Sequence, residues 1–106
     1  MPKYLYQASY TPEGIRGLVR DGGTKRREAV ERLAEGIGGK LESMYFAFGD
    51  SDVYAIIDAP DNVSASRAAL TVGATGAVNV KTTVLLTPED VDQATQQSVS
   101  YSPPGQ

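Results

Sequence analysis

In residues 3–10, KYLYQASY, the positions Tyr4, Tyr6, Ala8 and Tyr10 fall at every second residue. Apolar side chains with a period of two fit a strand, whose successive residues point to opposite faces, and aromatic rings are favoured there. The period changes at Thr11-Pro12-Glu13. Threonine can cap a helix, proline suits its first position, and an acid complements the positive end of its dipole. Ile15, Leu18 and Val19 then supply an apolar stripe that stops at Asp21-Gly22-Gly23. A second helix is predicted from Thr24, with Ala29, Val30, Leu33 and Ile37 inward and Arg26, Glu28, Glu31, Arg32 and Glu35 largely on the outer face. Gly36, Gly38 and Gly39 end it, so 12–37 reads as one helical layer broken near Gly22-Gly23.

Residues 40–48, KLESMYFAF, alternate again, and a short turn leads into DVYAIIDA, rich in β-branched residues. Two strands joined by so few residues pair antiparallel. Asp61 is placed to cap the helix NVSASRAALTVG, whose Ala65, Ala68, Ala69 and Val72 form a small-residue face suited to close approach to a sheet. A fourth strand is predicted over 77–86, AVNVKTTVLL. Thr87-Pro88-Glu89 repeats the earlier helix start and opens PEDVDQATQQ, which is polar on nearly every side. The pattern predicts an α+β, ferredoxin-like βαββαβ domain over residues 1–97. It has a four-stranded antiparallel sheet with helices on one face and an extra C-terminal helix. Residues 98–106 have no periodicity and are expected to form a flexible tail.

Composition narrows the chemistry. The 106 residues suit one core. With no cysteine and no histidine, the chain has no disulfide, no thiolate nucleophile, and neither the usual general base near neutral pH nor the commonest metal ligand. No metal and no cofactor are expected. A net charge of −3 argues against a nucleic-acid partner or an anionic membrane surface, and the basic run Lys25-Arg26-Arg27 is followed at once by Glu28. The N-terminus lacks a secretory apolar segment, which points to a cytoplasmic protein.

The pieces YTPEGIRG and AEGIGGKLESMYFAFGDSDVYAIIDAPD resemble the GYD family of small bacterial proteins over roughly residues 2–90. The Gly-Tyr-Asp string that names that family reads Gly49-Asp50-Ser51-Asp52 here, with serine in place of the tyrosine. The resemblance implies a ferredoxin-like protomer similar to the dimeric α/β-barrel proteins, and it assigns no reaction.

Two groups of side chains are candidates for chemistry. Asp50, Asp52, Asp58 and Asp61 could form a carboxylate pair, but aspartate is favoured in turns for its bonds to nearby backbone N–H groups, and the turn reading is preferred. Tyr4, Tyr6 and Tyr54 are expected on an uncovered sheet face that a second copy of the chain would bury, giving a dimer or larger homo-oligomer. The sharper alternative has Tyr6, Tyr45, Asp50 and Asp52 lining a pocket for a small molecule. Arg16, Arg20 and Arg67 are read as solvated, and the glycine clusters do not match a phosphate loop. The leading expectation is a homo-oligomeric binding or structural module without intrinsic catalysis. The alternatives are a cofactor-independent enzyme of the small monooxygenase or isomerase type, and a metabolite sensor with its pocket at a subunit interface.

Overall fold

Strand and helix succeed one another as β1 (Lys3–Tyr10), α1 (Pro12–Asp21), α2 (Gly23–Gly36), β2 (Lys40–Phe46), β3 (Val53–Asp58), α3 (Asn62–Gly73), β4 (Val78–Leu85) and α4 (Pro88–Thr95) in the computed structural model, which describes residues 1–106. The four strands form one antiparallel sheet in the order β2-β3-β1-β4. This is the expected α+β, ferredoxin-like arrangement, with the helical layer of the first crossover broken at Gly22 into α1 and α2. Gly22 has φ 84°, a left-handed conformation that glycine adopts without strain.

Local chemistry fixes the element ends. Thr11 Oγ1 accepts from the Gly14 N–H at 3.3 Å and donates to the Ala77 carbonyl at 3.2 Å, so one cap also ties α1 to the start of β4. Asp61 caps α3 by accepting from the Ser64 N–H at 2.8 Å, and that bond holds its carboxyl below the ordinary value of 3.8. Thr87 and Asp90 exchange side-chain and backbone hydrogen bonds in a capping box at the start of α4.

Helix α2 lies against β2 and α3 against β4, leaving the central strands to meet the groove between the helices. The floor there is built from Tyr4, Tyr6, Ala55 and Ile57, and the helices contribute Ala34, Ala65 and Ala68. Tyr4 and Ile57 are the largest fully buried side chains, and most of the other core residues are alanine. Small residues let the helices come close, but they fill little volume.

The register corrects the expected placement of the tyrosines. Tyr6 pairs with Ala55 while Tyr54 pairs with Gln7, so Tyr6 and Tyr54 point to opposite faces. Tyr4 and Tyr6, 1% and 7% exposed, lie beneath the helices and cannot form part of an uncovered face. Their hydroxyls explain why burial is tolerated: Tyr4 donates to Asn62 Oδ1 and Tyr6 to the Ala65 carbonyl, each at 2.7 Å. The open face carries Tyr54 beside Tyr45 on the neighbouring strand, with Leu5 and Ile56. It also carries an ion pair in which Lys3 Nζ reaches Asp58 Oδ1 at 2.9 Å and Glu42 across the bulge between Leu41 and Ser43.

Helix α1 is held by Gly14, where a Cβ would collide with the Ala77 carbonyl and crowd the Tyr10 ring. Its apolar stripe is poorly covered, with Ile15 40% and Val19 80% exposed. No helix is long and apolar enough to cross a membrane.

Candidate functional site

Between the sheet and the facing sides of α2 and α3 lies a cavity of about 70 Å³. It is the direct consequence of the small core: Ala8 and Ala55 on the strands and Ala68 and Ala69 on α3 leave space that Val30, Val53 and Val72 wall off without filling. An engineered apolar cavity of about 150 Å³ admits benzene, so this one has room for the hydrocarbon part of a smaller molecule.

Of the 15 lining residues, 14 are hydrophobic, and the exception is Arg26. The helix period explains its position. Arg26 precedes Val30 by four residues and Leu33 by seven, so on α2 it shares the stripe that faces the sheet. Its Nε is sealed from solvent and is the only buried side-chain nitrogen or oxygen without a hydrogen-bond partner. An unpaired buried donor costs about 1–3 kcal/mol. A carboxylate reaching it would form the short, charge-assisted bond that guanidinium favours.

The four residues expected to line a pocket do not converge. Tyr6 does line this cavity, but its hydroxyl is already committed to Ala65. Burial, reinforced by the neighbouring Tyr4, pushes that hydroxyl above its ordinary value of 10.0, so it remains a neutral donor and is no base. Tyr45 is 71% exposed on the open face. Asp52 Oδ2 accepts from the Tyr10 N–H at 2.8 Å, while its backbone N–H donates to the Ala8 carbonyl and its own carbonyl accepts from Ala47. Asp52 therefore extends the ladder beyond the strand ends. Asp50 is exposed in the turn. Ser51, which stands in place of the family's tyrosine, is buried with its Oγ 3.5 Å from Gln7 Oε1. The four aspartates thus cap, pair and turn, and no cluster of three or more acidic or metal-ligating side chains is brought together.

Sequence reasoning missed Arg26, placing it on the outer face as one of three consecutive basic residues. The usable signal was its spacing to Val30, Leu33 and Ile37, which the flanking charges obscured. The family model described as the GYD domain matches residues 4–95. No curated protein and no solved structure matches the chain.

Proposed function

Starting from a chain that belongs to the GYD domain family, we propose that it is a homo-oligomeric binding protein whose cavity takes a short apolar carboxylate, with no reaction of its own. The observation that carries this reading is the Arg26 Nε, buried without a partner at the wall of an otherwise hydrophobic cavity. A ligand with an acid head and a tail of about three or four carbons would pair the nitrogen and occupy the space. Catalysis is disfavoured by the same lining. No aspartate or glutamate faces the cavity, the chain has no histidine, and the Tyr6 hydroxyl is held neutral.

Thermal unfolding with a panel of short branched and straight-chain carboxylates tests the reading. An acid present at about 100 times its dissociation constant adds about 2.7 kcal/mol of stability, a rise on the order of 10 °C for a domain of this size. The matched primary amides should give little rise. Arg26→Met, which keeps the packing of the stem, should melt no lower than the native protein without ligand and should lose the response to acids. Equal shifts from acid and amide, or an undiminished acid response in Arg26→Met, would refute the proposal.

Self-association is the second part of the reading, supported by the open sheet face. Tyr45 and Tyr54 stand side by side there with Leu5 and Ile56, an aromatic patch that one chain leaves uncovered. Analytical ultracentrifugation at micromolar concentration should show a dimer or larger assembly, and Tyr54→Lys should shift it toward monomer. A native protein that sediments as a monomer would contradict this part.

A further inference from the structure

The C-terminal segment is set apart from the domain in both shape and charge. Helix α4 buries no residue, and its Val91 is 47% exposed, with Val99 and Tyr101 beyond it 85% and 76% exposed. The chain measures 58 × 33 × 22 Å with a radius of gyration of 17.0 Å, against about 13 Å for a compact domain of this length. No basic residue follows Lys81, and Glu89, Asp90 and Asp92 together account for the whole net charge of −3, the other acidic residues being balanced by the ten basic ones. The segment is an acidic arm whose apolar side chains its own chain leaves about half exposed or more.

A surface of complementary character lies at the opposite end of the sheet. The arm leaves β4 at Leu85, which pairs with Lys3, whereas β2 and β3 end their pairing there at Phe46 and Val53, opposite Ala8 of β1. At that far end a groove of about 330 Å³ is lined by Ile15, Leu18, Phe46 and Phe48, and also by Asp52, whose Oδ2 accepts from the Tyr10 N–H. Phe48 is fully exposed, and the groove continues past Gly23 and Phe46 to Arg27. Four basic residues of the surrounding stretch are exposed, Arg16, Arg20, Lys25 and Arg27, against Asp21 alone, while Arg26 is turned to the cavity.

We propose that the acidic arm of one copy, α4 with Val91 and Ala94, seats in the groove between α1 and the β2–β3 turn of a second copy. Phe48 and Val19 then gain the apolar cover they lack, and Glu89, Asp90 and Asp92 meet the basic stretch of α1 and α2. Opposite net charges on the two surfaces favour encounter between copies and make the contact salt-sensitive. The placement rests on the homo-oligomeric reading above and adds to it a specific contact away from the sheet face.

The absence of cysteine from the native chain makes the test free of background. Two full-length single-cysteine variants, Val19→Cys on α1, next in sequence to the groove residue Leu18, and Thr95→Cys on the arm, are mixed and mildly oxidised. The expected product is a mixed covalent dimer, formed at least ten times faster than with the control pair Thr71→Cys and Thr95→Cys. Thr71 is exposed on α3, away from the groove. The advantage should shrink in 0.5 M salt, an ionic strength at which exposed charges are strongly screened. Rates equal to the control, or a predominance of Thr95→Cys self-dimers, would overturn the arm placement. Sedimentation of the same samples separates the two failures: an assembly without the mixed crosslink leaves self-association standing, whereas a monomer removes both.

Discussion

Ile57→Ala should lower the stability of the protein by roughly 3–4 kcal/mol, within the range for truncating a fully buried isoleucine. Ile57 is 2% exposed and stands on β3 between Tyr4 of β1 and Leu41 of β2, so its side chain is shared by three strands. The cost of such a change depends on how far the surroundings collapse into the space created. Here they can collapse little, because the neighbours Ala34, Ala55, Ala65 and Ala68 have no length to spare and a cavity already lies beside them. Small domains hold about 5–15 kcal/mol in total, so the loss is a large fraction of the whole. Urea unfolding followed by circular dichroism measures it, with a lower midpoint at unchanged slope as the expected result. A loss below about 1 kcal/mol would mean that the helical face of the sheet is not packed as described.

Gly39→Ala should be comparably damaging for the opposite reason. Gly39 joins α2 to β2, and its N–H donates to the Ala34 carbonyl at 2.8 Å, closing the helix end. A Cβ at this position would be driven into the Asp58 carbonyl oxygen, with the Asp58 carbonyl carbon at 3.0 Å and the Ala59 Cα at 3.2 Å. All three are backbone atoms, so no side chain can swing aside. Relief requires β2 to move away from the end of β3, next to the Lys40–Asp58 pairing. Overpacking of this kind costs about 1–3 kcal/mol and sometimes more, and the upper end is expected here. Gly36→Ala is the control: a Cβ at Gly36 meets nothing within 4 Å, and in a helix alanine is favoured over glycine by about 1 kcal/mol. The pair should therefore move the urea midpoint in opposite directions. Equal behaviour of the two variants would show that the β2–β3 approach is looser than described.

Local signals made most of the architecture readable. The period of two over 3–10 matches β1, the Thr-Pro-Glu starts at 11 and 87 both act as caps, and Gly22 breaks the helical layer where the glycines indicated. What those signals cannot carry is which side of the sheet the helices take. A strand that alternates tyrosine with other residues offers the same period to either face, and its long-range partners decide the outcome. For Tyr4 and Tyr6 the deciding groups are Asn62 and the Ala65 carbonyl, more than fifty residues away. The hidden role of Arg26 has the same origin. Three consecutive basic residues look like a solvated face, yet a helix turns about 100° per residue. Lys25 and Arg27 are exposed while Arg26 is half-buried against the sheet. The aspartates were legible only in part. Asp61 binds Ser64 three residues on, as local capping chemistry indicates, whereas Asp52 and Asp58 find Tyr10 and Lys3, 42 and 55 residues away. The cavity itself could not be read at all, since it arises from alanines contributed by β1, β3 and α3 together.

The cavity with Arg26 at its wall is the centre of the functional account, and methyl-resolved NMR during titration with a short branched carboxylate tests it most directly. The account predicts saturable shifts concentrated on the methyls of Val30, Val53, Ala55 and Val72, all of which line the cavity, and no such shifts in Arg26→Met. Shifts confined to surface residues such as Val63 and Leu70, both 72% exposed, or identical titrations for the two proteins, would contradict it.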